Sequence, residues 1–123
     1  QRAFMEKDMI AAHEKDLKAG VIDHPDVKNA QMKVLVSPEQ GWSDYVMRII
    51  ELEEGGFSPR HTHDWPHINY VVEGTGTLHV DGRNHEMRTG SYAFVPAGSL
   101  HQYRNTGSGP FRFICIVPKH GHV

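Results

Sequence analysis

Three histidines, His61, His63 and His67, lie within seven residues of one another. In an extended chain, residues two apart point to the same side, so His61 and His63 would direct their imidazoles toward a common point. Pro66 cannot donate a ladder hydrogen bond, and we expect a bend there that returns His67 to that side. A fourth histidine, His101, follows a distant turn. Neutral imidazole binds divalent transition metals, so these four side chains are predicted to hold one such ion. The alternative is a set of surface histidines on a polar strand.

The composition narrows the class of protein. The chain has 123 residues, which suits one domain with a modest core. Its net charge is −2 and its basic residues are scattered, so we expect no nucleic-acid partner. No apolar run approaches the roughly 20 residues of a membrane span, so no membrane partner is expected. The single cysteine, Cys115, excludes an intramolecular disulfide. That feature and the lack of an intact signal peptide favour a cytoplasmic protein.

The first 20 residues favour an α-helix. Met5, Met9 and Leu17 recur near helical spacing with charges between them, and Gly20 suits a C-cap. We expect this helix to pack on the main domain or on a partner subunit. The predicted organisation is an N-terminal helix and connector over residues 1–29, followed by one β-domain over residues 30–123.

The rest of the chain alternates between short strand-like runs and turn residues. Strands are expected at 31–36, 45–52, 67–73, 77–80, 85–88, 91–95, 101–104 and 111–117, in addition to the extended histidine stretch. A turn is expected over residues 53–56, and Asp81-Gly82 indicates a two-residue hairpin. Many short strands separated by turns predict an all-β antiparallel sandwich or barrel.

Two spaced motifs resemble those of the cupin superfamily. The first is G-x5-H-x-H-x3,4-E-x6-G, and its frame is occupied by Gly55, His61, His63, His67 and Gly74. The second is G-x5-P-x-G-x2-H-x3-N, and every position is matched by Gly90, Pro96, Gly98, His101 and Asn105. The resemblance implies a jelly-roll barrel with a metal near its centre, bound by His61, His63, His67 and His101. It also implies a homodimer.

One position departs from the family pattern, because His67 replaces the usual glutamate. The chain therefore resembles the small single-domain cupins with four histidines, several of which hold manganese or iron. Those two metals are favoured, and zinc, nickel or copper is possible. Four neutral imidazoles leave the dipositive charge of the ion uncompensated, which favours a small anionic or oxygen-bearing ligand.

Several further side chains are candidates for the wall of a ligand pocket. They are Met47, Arg60, Tyr70, Phe94, Tyr103, Phe113 and Cys115. For the apolar members the alternative is ordinary core packing. Arg60, and also Arg48, are candidates for binding a substrate carboxylate, and for both the alternative is solvation at the surface. In the last strand, alternation groups Phe111, Phe113, Cys115 and Val117 on one face. No residue is assigned as catalytic.

Three functions suit a metal-binding cupin. The favoured one is a dioxygenase-like oxidoreductase, in which a redox metal binds oxygen and a small organic substrate side by side. The second is a metal-dependent isomerase or lyase, in which the metal polarises a carbonyl group. The third is a module that binds a small anion without turnover. A shared fold does not discriminate among them.

Overall fold

The computed structural model describes residues 9–122, and these form an antiparallel β-barrel. The strands are β1 Gly20–Val21, β2 Lys28–Val36, β3 Tyr45–Phe57, β4 His67–Glu73, β5 Thr75–Val80, β6 Arg83–Arg88, β7 Tyr92–Val95, β8 His101–Arg104 and β9 Phe111–Pro118. Short 3-10 turns occupy Glu14–Asp16, Pro38–Gln40 and Lys119–Gly121. No helical segment within residues 9–122 has the length and apolar character needed to cross a membrane.

The strand order brings distant parts of the chain together. Along the sheet it is β6-β5-β8-β3-β9-β4-β7, and β2 pairs with β3 while β1 pairs with β2. The late strand β9 therefore lies between β3 and β4, to which it is hydrogen-bonded on either side. This order places the loop between β3 and β4 beside the start of β8. The predicted all-β antiparallel architecture is confirmed.

The prediction of an N-terminal α-helix is wrong over residues 9–20. The rest of the predicted helix, residues 1–8, lies outside the described residues. The segment carries one 3-10 turn, Glu14–Asp16, and Gly20 pairs with Met32 at the start of β1. The carboxylate of Glu14 accepts hydrogen bonds from Lys33, at 3.1 Å, and from Arg112, both on the barrel. Short isolated helices are marginal, so these contacts favour an extended path. The division into two parts at residue 29 stays a prediction. β1, before that residue, pairs with the part of β2 that follows it.

The expected turn at residues 53–56 is also wrong, because β3 continues through it to Phe57. Leu52 pairs with Ala30, whereas Phe57 pairs with Lys28, so β3 has extra residues that bulge out of the ladder. Gly55 lies in this bulge with a φ of 77°. The glycines thus permit a bulge within a long strand rather than ending it.

The inner face of β9 is confirmed as core. Its side chains alternate between buried and half-buried, and the buried ones are Phe111, Phe113, Cys115 and Val117. On the outer face of β4 and β7, four large apolar side chains are exposed, and we call them the outer apolar patch. They are Ile68 (51% exposed), Tyr70 (47%), Tyr92 (80%) and Phe94 (63%). Ile68 pairs with Phe94, and Tyr70 pairs with Tyr92, so the patch consists of two cross-strand pairs on β4 and β7.

Candidate metal centre

The histidine-rich segment between β3 and β4 is a loop, and not the extended strand predicted for His61 and His63. His61 forms one isolated bridge with His101, in which each backbone N–H donates to the other residue's carbonyl, at 3.2 and 3.1 Å. The carbonyl of His63 accepts a hydrogen bond of 2.8 Å from the N–H of Gly98. His67 opens β4. Pairing between distant segments, rather than one extended run, therefore positions these rings.

The structure brings all four predicted histidines together. The ligand nitrogens of His61, His63 and His101 lie within 4.8 Å of one another. His67 is outside that mutual set, yet its Nε2 lies 3.1 Å from Nε2 of His101. The ring centroid of His101 is 4.8 Å from those of both His63 and His67. Three histidines thus form a compact cluster, and the fourth adjoins it.

Hydrogen bonds at Nδ1 fix the orientation of three of these rings. Nδ1 of His63 donates to the carbonyl of Trp65 at 2.7 Å, and Nδ1 of His101 donates to the carbonyl of Ser99 at 2.9 Å. Nδ1 of His67 donates to Oδ1 of Asn69 at 2.8 Å. Because these oxygens can only accept, the ring protons lie on Nδ1 and the Nε2 atoms are left bare. Such bonds are the usual means of orienting metal-binding histidines.

Asn69 was not identified from the sequence, although it is the residue that orients His67. Its side-chain oxygen also accepts a 2.7 Å hydrogen bond from the hydroxyl of Tyr103, and its Nδ2 donates to the carbonyl of Ile114 at 3.3 Å. These partners fix which way the amide points, because a flipped amide would set two oxygens against each other. The available signal was its position two residues after His67, on the same face of a strand.

The distance between the facing Nε2 atoms of His67 and His101, and the protonation of the two rings, show whether the site suits a metal. Burial, followed by the charge of His101, lowers the pKa of His67 to about 3, and burial likewise lowers the pKa of His101. Burial also lowers the pKa of His61 to about 4. The rings are therefore neutral near pH 7, and two bare nitrogens 3.1 Å apart repel unless a cation binds both. With metal–nitrogen bonds of about 2.0–2.1 Å, ligands at octahedral or tetrahedral angles are about 2.8–3.4 Å apart. The donor set fits one transition-metal ion.

The histidines lie at the wall of a cavity of about 280 Å³. Three residues that the sequence suggested for a pocket line it: Tyr103, Phe113 and Cys115. Trp65 also lines it and stacks on the ring of His63, with a centroid distance of 4.4 Å and an interplanar angle of 3°. The cavity therefore combines imidazole nitrogens with an aromatic wall, as small-molecule sites often do.

A sequence model of the cupin domain matches residues 48–117 of this chain. The chain belongs to the cupin family. A protein from Thermotoga maritima, named as an oxalate-binding protein, is 26% identical over 69 residues, which are 55% of this chain and 57% of that protein. An uncharacterised protein of Aquifex aeolicus is 42% identical over 36 residues, which are 29% of this chain and 30% of that protein. These matches span less than two thirds of either relative.

Solved structures agree with the cupin assignment over more of the chain. The polyketide cyclase RemF from Streptomyces resistomycificus superposes with a TM-score of 0.85, is 29% identical, and covers 91% of this chain and 80% of its own. A predicted oxalate decarboxylase from Thermotoga maritima gives a TM-score of 0.81 at 20% identity, covering 89% and 98%. The predicted jelly-roll cupin barrel is thereby confirmed. A cluster of three histidines in a cupin suggests a metal site.

Four of the pocket candidates lie elsewhere in this cupin. Tyr70 and Phe94 belong to the outer apolar patch, because alternation along β4 and β7 turns them away from the interior. Met47 alternates with the inward-facing Val46 and Arg48, and it does not line the cavity. Arg60 is exposed and borders a separate surface depression with Arg104. The expectation that these four line the pocket is corrected accordingly.

Arg48, rather than Arg60, is the arginine in the cavity wall. Its Nη2 donates to the sulfur of Cys115 at 3.3 Å, and its Nη1 donates to Nδ1 of His122 at 3.2 Å. Burial and then the charge of Arg48 lower the pKa of His122. Among the described residues that line the cavity, none is an aspartate or a glutamate.

Proposed function

We propose that this cupin is a metal-dependent enzyme that acts on a carbonyl group of a small organic anion. One divalent transition-metal ion would be held by His61, His63, His67 and His101. The observation that carries the proposal is the pair of bare Nε2 atoms, 3.1 Å apart, beside a cavity of about 280 Å³. The likeness to a polyketide cyclase, at 29% identity over 91% of this chain, favours carbonyl chemistry.

A bound divalent ion would supply a Lewis acid for the carbonyl oxygen of the substrate. The residues of the chain would position both partners. Asn69 and the carbonyls of Trp65 and Ser99 hold the imidazoles in the tautomer that leaves Nε2 free to bind. The aromatic wall of Trp65, Tyr103 and Phe113 would exclude water and hold the carbon skeleton. No residue is proposed as the acid or base.

A dioxygenase-like oxidoreductase is the second candidate. It is supported by the cavity wall, whose described residues include no carboxylate that would remove a proton from a substrate. Manganese or iron would be the metal in that case, whereas zinc, nickel or copper would also serve carbonyl chemistry. The third candidate, binding of a small anion without turnover, is supported by the likeness to a protein named as oxalate-binding.

The first experiment is elemental analysis of untagged protein purified without chelators, together with an electron paramagnetic resonance spectrum. We expect about one metal equivalent, lost in the double variant His67→Ala/His101→Ala. Proton–deuterium exchange next to the carbonyl of a 2-oxo acid, followed by NMR, then tests carbonyl activation, and oxygen uptake tests oxidation. Metal-dependent exchange without oxygen uptake supports the first candidate. Oxygen uptake without exchange supports the second, and failure to bind any metal contradicts both.

We also propose a homodimer and a cytoplasmic location. The outer apolar patch supports the dimer, because four large exposed side chains on adjacent strands form a face that a second copy would cover symmetrically. The free and buried Cys115 supports a reducing compartment. The absence of a nucleic-acid or membrane partner stays a prediction.

A further inference from the structure

Arg48 lies in the same cross-strand row as the residue that orients His67. It pairs with Cys115 on β9, and Cys115 pairs with Asn69 on β4. Neighbouring strands are about 4.8 Å apart, so the backbones at Arg48 and Asn69 are separated by roughly 10 Å. Both side chains face the cavity. The guanidinium and the histidine cluster therefore line one cavity, on the inner face of the same sheet.

The positive charge of Arg48 is not balanced by its partners. Its two hydrogen-bond acceptors, the Cys115 sulfur and the His122 Nδ1, are a thiol and a neutral imidazole nitrogen. Its Nε is buried, and no hydrogen-bond partner for it exists among the described residues. Arg48 is half-buried. A guanidinium stays charged in proteins, and withdrawing even part of a charge from water without a counter-charge is costly. The described cavity wall offers no carboxylate, so an anionic ligand bound in the cavity would supply the missing partner.

We propose that Arg48 binds the carboxylate of a small organic acid whose other oxygen atoms lie at the histidine cluster, an arrangement that rests on the metal site of the proposed function. A carboxylate accepts two parallel hydrogen bonds from a guanidinium, which gives orientation as well as affinity. Cys115 acts as a positioning residue, because its sulfur holds Nη2 on the inner face of the sheet. The preferred ligand therefore carries two separated oxygen-bearing groups.

The test compares dicarboxylates with monocarboxylates of equal chain length, using isothermal titration calorimetry on zinc-loaded protein. The pairs are malonate with propionate, succinate with butyrate, and glutarate with valerate. For the best pair we expect the dicarboxylate to bind at least about 10-fold more tightly, which is the usual value of a charge-assisted hydrogen bond. Arg48→Met is expected to reduce that preference to less than about 2-fold. Arg60→Met, outside the cavity, is the matched control and should retain it.

Zinc affinity, measured in parallel by competition with a chromophoric chelator, separates this inference from the proposed function. Unchanged zinc binding with lost dicarboxylate preference in Arg48→Met supports both. An equal dicarboxylate preference in wild type and Arg48→Met overturns the inference while leaving the metal site intact. If wild type binds neither zinc nor manganese, the metal site is overturned, and Arg48-dependent binding of glutarate to metal-free protein still supports the anion site. Arg48→Lys replaces Arg48→Met if the latter does not fold, because lysine keeps the charge but cannot donate two parallel hydrogen bonds. We expect Arg48→Lys to show an intermediate preference for the dicarboxylate. A preference as strong as that of wild type overturns the inference.

Discussion

The first four residues of strand β4 reverse the usual distribution of side chains in a β-barrel. Its inner face carries His67 and Asn69, which are 6% and 0% exposed, whereas its outer face carries Ile68 and Tyr70, which are 51% and 47% exposed. An ordinary half-buried strand places apolar residues inside and polar residues outside. Here hydrogen bonds hold Nδ1 of His67 and both ends of the Asn69 amide on the inner face, while Ile68 and Tyr70 face outward. Farther along the strand, Val71 is buried in the usual way.

This reversal separates two roles within one strand. Burying a histidine and an asparagine costs free energy unless each polar atom has a partner, and their network reaches Tyr103 and the carbonyl of Ile114. Such an arrangement is typical of a site rather than of a core. The outer apolar patch exposes apolar area to water, and such patches are typical of surfaces that bind another molecule. Substitutions at neighbouring positions of β4 therefore distinguish the two roles.

The largest difference is expected between His67→Ala and its neighbour Ile68→Ala. Loss of His67 removes a proposed metal-binding nitrogen, so metal affinity should fall by more than about 100-fold, beyond the effect of losing an orienting partner. Ile68→Ala removes only an outward side chain and should change the affinity less than about 3-fold. Chelator competition measures both. Equal affinities for the two variants would contradict the assignment of the inner face.

A smaller effect is expected from Asn69→Leu, compared with Tyr70→Ala. The leucine cannot accept the hydrogen bond from Nδ1 of His67, so the ring loses its orientation and metal affinity should fall by about 10- to 100-fold. Tyr70→Ala should leave it unchanged. Tyr103→Phe keeps the bond between His67 and Asn69 and serves as a milder control on the same inner face. A metal affinity in Asn69→Leu equal to that of wild type would show that the Asn69 amide does not orient His67.

Acidification of the metal-free protein should lower its free energy of unfolding, because of the buried histidine on the inner face of β4. The ordinary histidine pKa is 6.5, and burial lowers the pKa of His67 to about 3. Between these values the unfolded chain binds a proton that the folded protein does not, so the free energy of unfolding falls as the pH is lowered from 6.5 toward 4. One such group contributes about 1.4 kcal/mol per pH unit. Urea titrations at several pH values measure the slope.

A matched pair of glutamine variants isolates the contribution of His67 to that slope. His67→Gln should reduce the pH dependence of the free energy of unfolding, because the buried titrating group is gone. His85→Gln, on the exposed part of β6, is the control and should leave the slope as in wild type. A slope that is the same in all three proteins would rule out His67 as its source.

The smallest effect on the metal site is expected from the outer apolar patch. Phe94→Glu places a carboxylate in the proposed subunit interface, so the dimer dissociation constant should rise by at least about 10-fold, while metal affinity stays the same. Sedimentation equilibrium measures the first and chelator competition the second. Arg83→Glu, on the exposed start of β6, is the charge control. A wild-type protein that is monomeric at all concentrations would contradict the dimer.

The sequence predicted most of the strands and the histidines that meet in space. Alternation assigned the inner face of β9 correctly, because a two-residue period is a local property of extended chains. Spacing and motif together selected His61, His63, His67 and His101. Local patterns gave the wrong prediction at Gly55, because a bulge and a turn need the same left-handed backbone. They also gave the wrong prediction over residues 9–20, where ion pairs with distant strands outweigh helix propensity.

The tertiary structure alone decided which residues surround the histidines. Asn69 and Arg48 line the cavity through strand pairings that join segments many residues apart, and no local period encodes such pairings. His122 in turn contacts Arg48 from the far end of the chain. The same pairings placed Tyr70 and Phe94 outside and left Arg48, rather than Arg60, beside the site. Residue type and spacing thus determined what chemistry was available. The strand order determined which groups meet, because contacts across a sheet depend on register rather than on sequence distance.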